Sequence, residues 1–145
     1  MSKEMIEEIA KDFFQLMPLL KKNVIKPFEK ISDALSPLQF HILLILKDKK
    51  ARSMSELATE MDVLKQQLTF LTDKLADKNY IQRIPDPKDR RSIKVSITKS
   101  GLDYLKKHKR QTLNLITLKF EELSTEDLSE LHLAIQSMHK IINRL

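Results

Sequence analysis

Residues 53–101 read SMSELATEMDVLKQQLTFLTDKLADKNYIQRIPDPKDRRSIKVSITKSG. Ser53-Met54-Ser55-Glu56 has the form of a capping box, a serine hydroxyl and a glutamate closing the first turn of a helix reciprocally. The short helix it opens runs through Glu60 and buries Leu57, Ala58 and Met61, with Asp62 and Val63 as the turn. Leu64, Leu68, Leu71 and Leu75 then recur at spacings of four, three and four. That pattern lays one leucine stripe along a helix over about 64–78. Asn79 suits the left-handed position that ends a helix where no Gly is offered. Tyr80–Ile84 predicts a strand, and Ile93, Val95 and Ile97 alternate with Lys94, Ser96 and Thr98 as a half-buried second strand. Between them, Pro85-Asp86-Pro87-Lys88-Asp89-Arg90-Arg91-Ser92 exceeds the roughly two to five residues of an ordinary hairpin connection, so a long basic tip should project. Short helix, turn, second helix and hairpin make a winged helix-turn-helix.

The flanks are helical. Ser36-Pro37-Leu38-Gln39 combines a hydroxyl cap, a proline suited to the first helical position and a glutamine able to close a capping box. The run from Phe40 to Leu46 is apolar nearly all round and predicts a central, buried helix. Lys47–Arg52 reads as a short basic loop. Upstream, Met5, Ile6, Ile9, Phe13, Leu16, Met17 and Leu20 form a helical stripe over about 3–22, which Pro18 should kink or end early. Asn23–Asp33, with Pro27 inside it, reads as a bend. Downstream, Thr98 caps a helix running to about Leu123, and Ser124 caps the last one. There Leu128, Leu131, Ile135, Met138, Ile142 and Leu145 repeat at three and four, a seam for a helical partner.

At 145 residues the chain has the length of one domain. With one Gly and no Trp an all-β fold is improbable, and with no Cys there are neither disulfides nor thiolate chemistry. No stretch approaches the roughly 18 apolar residues of a membrane span, and MSKEMIEEIAKDFF carries acids where a signal peptide would be basic, so a cytoplasmic location without a membrane is expected. The net charge of +6 is unevenly placed: Lys65–Arg110 holds thirteen Lys and Arg against five Asp, a balance of +8, and the rest of the chain balances at −2. Such a focus suits a polyanionic partner, although a solvated surface would give the same count.

The helix bearing the leucine stripe turns its other face outward. At 100° per residue that face holds Gln66, Thr69, Phe70 and Asp73, with Lys65 on its flank. Gln66 can pair with adenine, Thr69 can reach a base or a phosphate, Lys65 a phosphate or guanine, and Phe70 thymine methyls. Asp73 and Asp77 would be repelled by phosphates, which leaves the reading to the N-terminal turns. Each residue also has a plain alternative: Gln66 and Gln67 as solvent-facing residues, Phe70 folded back on the protein, and Lys88, Arg90 and Arg91 as a solvated turn. In the nucleic-acid reading an arginine of the tip enters a narrow minor groove, with Asp89 holding its guanidinium.

The string from Asp86 to Arg91, followed by Val95-Ser96-Ile97-Thr98-Lys99-Ser100-Gly101, resembles the wing and next helix start of MarR-family regulators. Asp89 and Arg91 match the family's Asp-x-Arg, and Ile97 to Gly101 match its Leu/Ile-Thr-x-x-Gly. Further matches are Ser36-Pro37-Leu38-Gln39-Phe40, Glu56-Leu57-Ala58, Leu68-Thr69 and Asp73-Lys74-Leu75. The resemblance implies a mostly α fold of six helices with a two- or three-stranded wing, residues 36–98 binding DNA and residues 1–35 and 99–145 dimerising. It implies a transcriptional regulator, usually a repressor, that binds double-stranded DNA as a homodimer and often answers to a small aromatic or phenolic effector. On that basis DNA contacts are expected from Lys65, Gln66, Gln67, Thr69, Phe70, Lys88, Asp89, Arg90, Arg91, Ser53 and Ser55. Dimer contacts are expected from Ile6, Ile9, Phe13, Leu128, Leu131, Ile135, Met138 and Ile142. Two positions depart from the pattern: Leu64 replaces the usual Ser or Asp cap, and Phe70 a common basic residue. The branch that senses peroxide through a Cys is excluded.

Other chemistries have little support. His41 and His108 stand about where zinc-sensing members place ligands, but Phe40 and Thr112 occupy the companion positions, so no metal is expected and His41 reads as a hydrogen-bonded core residue. No glycine-rich phosphate loop, Gly-x-Ser-x-Gly or His-Glu-x-x-His occurs, and no cofactor or enzymatic activity is expected. Glu126 and Asp127 sit in a first helical turn, where acids favour the helix dipole. The rivals to the regulator are a winged-helix protein-interaction module and a non-specific architectural DNA-binding protein.

Overall fold

The computed structural model describes residues 1–26 and 35–145, with the side chains of Ile25 and Arg90 outside that description. Among these residues the α-helices are α1 (Lys3–Leu20), α2 (Pro37–Ile45), α3 (Met54–Met61), α4 (Lys65–Asp77), α5 (Lys99–Phe120) and α6 (Thr125–Ile142). Strands β1 (Arg52–Ser53), β2 (Ile81–Asp86) and β3 (Asp89–Ile97) form one antiparallel sheet in the order β1-β3-β2. This is the mostly helical winged architecture that the sequence pattern predicts. The chain divides into two compact units, Ser32–Arg110 and Met1–Ile31 with Gln111–Leu145.

In the unit Ser32–Arg110, α2 opens on a complete capping box: Ser36 Oγ accepts from the Gln39 N–H at 3.2 Å and Gln39 Oε1 from the Ser36 N–H at 3.1 Å. The box also gives the side-chain oxygen of the buried Gln39 a partner. Ile42, Leu43 and Leu46 are fully buried, but Leu44 is 46% exposed and His41 is exposed. The expectation of burial all round fails because only one side of α2 meets the core, and His41 is not a core histidine. Leu46–Asp48 tightens to a 3-10 turn that Lys49 ends in the left-handed region at φ 66°.

Ser53 Oγ accepts from the Glu56 N–H at 3.1 Å and starts α3, whose Leu57, Ala58 and Met61 are buried. Asp62, at φ 53°, turns the chain into α4. Leu68 and Leu75 are fully buried and Leu71 nearly so, each contributing roughly 2 kcal/mol by leaving water. Leu64 departs from the predicted stripe. It is the extended residue preceding the helix and is 75% exposed, so the stripe starts at Leu68. Thr72, on the inner face, is fully buried and donates its hydroxyl to the Thr69 carbonyl at 3.1 Å.

Asn79 ends this helix at φ 61°. The Thr98 N–H donates to the Tyr80 carbonyl at 3.0 Å, and the Thr98 hydroxyl donates to the Asn79 carbonyl at 2.6 Å while accepting from the Gly101 N–H at 3.0 Å. A methyl group on Gly101 would collide with the Tyr80 carbonyl oxygen and lie 2.7 Å from Ile97 Cγ1. Gly101 is therefore needed for close approach, not for an unusual backbone angle. Buried Leu105 extends the core onto α5, which explains why this unit reaches Arg110.

In the other unit, α1 runs through Pro18 to Leu20 and continues as a π-helical turn, Lys21–Ile25, so proline does not end it. The Lys21 N–H still reaches the carbonyls of Met17 and Pro18, and the widened turn that follows is closed by the Lys26 N–H on the Lys21 carbonyl. Asn23–Lys26 thus belong to helical backbone, and the rest of the predicted bend, Pro27–Asp33, lies outside the described residues. Ser124 Oγ accepts from the Asp127 N–H at 3.1 Å to begin α6. Neither α1 nor α6 contains a buried residue.

Gly101→Ala should destabilise the chain by about 1–3 kcal/mol in denaturant unfolding, with the neighbouring exposed Ser100→Ala within about 0.5 kcal/mol of wild type. Equal stability of the two variants would contradict the tight joint.

Candidate nucleic-acid interface

Burial of Leu68, Leu71, Thr72 and Leu75 fixes which side of α4 faces out. Lys65, Gln66, Gln67, Thr69 and Phe70 are all exposed. The first turn carries no acid, and Leu64 provides no side-chain cap, so the helix start keeps free N–H donors. Thr69 Oγ1 donates to the Lys65 carbonyl at 3.0 Å, which leaves its lone pairs and methyl outward. Phe70 does not fold back. It is 60% exposed, with the Lys74 ammonium 4.4 Å from its ring centroid. Asp73, on the same face, is ion-paired with Arg83 of β2. Ser53 is half-buried and occupied as the α3 cap, while Ser55 stands exposed in the first turn.

The wing differs from the expected long loop. Asp86 pairs with Asp89, and only Pro87 and Lys88 turn between them. The ladder then jumps from Asp86–Asp89 to Pro85–Ile93, placing Arg90, Arg91 and Ser92 in a bulge of β3. Two Asx-type bonds shape the tip: the Lys88 N–H donates to Asp86 Oδ1 at 3.0 Å and the Arg91 N–H to Asp89 Oδ1 at 3.0 Å. Asp89 thus holds the Arg91 backbone rather than its guanidinium, because the short turn brings the N–H within reach. The Arg91 side chain is exposed, and that of Arg90 lies outside the description.

At the wing base Arg52 closes a network. Its Nη1 and Nη2 donate to the two Asp48 oxygens at 3.0 and 2.8 Å, and its Nε lies 3.5 Å from Glu60 of α3. The Arg52 hydrogen bonds and the Lys50 N–H lower the Asp48 carboxyl to about 2.

Residues 35–93 match the MarR family. The chain is similar to regulators of that family. It is 30% identical over 98 residues to the HTH-type transcriptional repressor MdtR of Bacillus subtilis, covering 68% of this chain and 62% of that repressor. The chain therefore spans less than two thirds of the length of that relative. Among solved structures it resembles the transcriptional regulator BldR of Sulfolobus solfataricus, with a TM-score of 0.61 and 29% identity over 100% of both chains. It also resembles the transcriptional regulator Tm0710 of Thermotoga maritima, with a TM-score of 0.64, 25% identity and coverage of 98% and 96%. The family is one of regulators rather than enzymes.

The fold brings Lys65, Gln66, Gln67, Thr69 and Phe70 together on the exposed side of α4, and Lys88, Asp89 and Arg91 together at one hairpin tip. The expected dimer residues lie on α1 and α6. Ile6, Ile9, Phe13, Leu128, Ile135, Met138 and Ile142 are between 38% and 57% exposed, and Leu131 is half-buried. A cleft of about 560 Å³ lies between Ile9, Phe13 and Leu16 of α1 and Met138, Ile141 and Ile142 of α6. Among the described residues no three His, Cys, Asp or Glu side chains converge on one point. His108 is half-buried, its ring 4.5 Å from Phe40 and 6.0 Å from Tyr104. Among the described residues no helix is long and apolar enough to cross a membrane. Sequence reasoning missed the Arg52 network and the Asp73–Arg83 pair. The i,i+4 spacing of Asp48 and Arg52 carried a local signal, whereas Asp73 and Arg83 meet only through the fold.

Because the Asp48 pKa is depressed in the folded chain, its pairing contributes stability above its ordinary value of 3.8 and loses it as pH falls towards 2. Unfolding free energy measured between pH 5 and pH 2 should fall less steeply in Asp48→Asn than in wild type; parallel curves would show the pair to be without thermodynamic weight.

Proposed function

We propose that the chain is a DNA-binding transcriptional regulator, a repressor that binds a pseudo-palindromic, A·T-rich operator as a homodimer. The observation that carries this reading is the outer face of α4, where Lys65, Gln66, Gln67, Thr69 and Phe70 stand exposed together while the opposite face is locked in the core. A helix so held can enter a major groove with an amide and a ring directed at base edges. Gln66 suits adenine and Phe70 suits the thymine methyl, hence the A·T preference. Arg91, exposed in the wing bulge, suits the narrow and strongly negative minor groove of A·T-rich flanks. Lys65 and Lys88, with the uncapped start of α4, suit phosphates.

Self-association is supported by the apolar surface of α1 and α6. Ile6, Ile9, Phe13, Ile135, Met138 and Ile142 leave apolar surface in water, and a two-fold dimer would bury such a patch against itself. Two copies then present two reading helices about one DNA turn, roughly 34 Å, apart. The name of the MdtR relative accords with repression.

In vitro selection of duplexes by the full chain should enrich an inverted repeat with A·T-rich half-sites; a consensus with G·C at the half-site centres would contradict the assignment of Gln66 and Phe70. Affinity for the selected duplex should fall with salt at a log–log slope of about 0.9 per phosphate neutralised. Arg91→Ala should lose about ten-fold or more in affinity with an unchanged circular dichroism spectrum. Sedimentation equilibrium should return a dimer, and repeating the binding with phenols and aromatic acids checks for an effector.

A further inference from the structure

The sheet carries a row of three side chains, Arg52 of β1, Val95 of β3 and Arg83 of β2, because both arginines pair in register with Val95. Directly paired residues share a face, and on this face Val95 is fully buried. Each arginine runs from the sheet to a carboxylate on a helix: Arg52 to Glu60 of α3, Arg83 to Asp73 of α4. The second pair sits at the surface, the Arg83 side chain 37% and that of Asp73 53% exposed. A pair so wet adds little to folding stability, so its interest lies elsewhere.

Asp73 lies three residues after Phe70, four after Thr69 and seven after Gln66, on the face that the proposed function assigns to the groove. A bare carboxylate there would meet the phosphate walls with like charge. Lys74 is turned back over the Phe70 ring, 4.4 Å from its centroid. Among the described residues Arg83 is the cation that pairs with Asp73.

We infer that Arg83 is a positioning residue that acts through Asp73, cancelling the charge of the acid that stands closest to the reading residues of that face. This rests on the DNA-binding reading. It differs from a phosphate contact by Arg83 itself, and the two have opposite signatures when Asp73 is removed. The test is equilibrium anisotropy of the full chain on the duplex enriched by selection and on a mixed-sequence duplex, over a salt series. The variants are Arg83→Met, which keeps an apolar stem beside Val95, Asp73→Asn, and the double substitution. Arg83→Met should weaken binding by about ten-fold, since it unmasks a like charge. Asp73→Asn should bind as tightly as wild type or more so. The double variant should return to within about three-fold of wild type, with the salt slope unchanged throughout. A double variant as weak as Arg83→Met, with a slope smaller by about 0.9, would make Arg83 a phosphate contact and overturn the inference. Should Arg83→Met fail to fold, Asp73→Asn still decides: weakened binding by that variant overturns the masking role. Wild-type silence on both duplexes would count against the DNA-binding reading itself, whereas wild-type binding with the wrong variant pattern counts against Arg83 alone.

Discussion

The burial of one side of α4 is the constraint from which the rest of the winged helix follows. Leu68, Thr72 and Leu75 are sealed from water, and their removal would open cavities in a small core. That seal sets the rotation of the helix, and so decides which residues look outward. α3 is held against the same core by Leu57 and Ala58, and the sheet by Ile81, Val95 and Ile97. The outward face needs no stabilising contacts of its own and is free to carry chemistry.

Charge is arranged around that core with some economy. Four acids near the candidate interface are engaged: Asp48 by Arg52, Asp73 by Arg83, and Asp86 and Asp89 by backbone N–H groups of the hairpin tip. Their carboxylates act on the protein and leave the lysines and Arg91 to dominate the field outside. Arg52 and Arg83 have a mechanical use as well, since each ties a strand of the wing to one helix of the helix-turn-helix.

Much of this was legible in the residues. Capping signals at Ser36, Ser53, Thr98 and Ser124, and left-handed asparagine at 79, are local physics and mark element ends wherever they occur. The leucine period gave the inner face of α4, and with it the outer one. Where sequence reasoning failed, the deciding partner was distant or the periodicity ambiguous. Leu64 keeps the spacing of the stripe yet lies before the first helical residue. Phe40–Leu46 has a single polar residue, His41, too little to reveal that only part of α2 meets the core. The tip composition suggested an open loop because the closing of Asp86 on Asp89, with the excess residues pushed into one strand, cannot be read from residue types. Pro18 signalled a break, but the helix runs through it and widens only beyond, at Lys21–Ile25.

The bulge at Arg90–Ser92 has an evolutionary corollary. Below it, the pairing from Ile81–Ile97 to Pro85–Ile93 is regular, and each side chain's direction is dictated by alternation. Above it, that dictation ceases. Residues gained or lost at the nib of the hairpin need not shift the pleated shaft, so descendants can trade finger length and angle one codon at a time while the body keeps its stability.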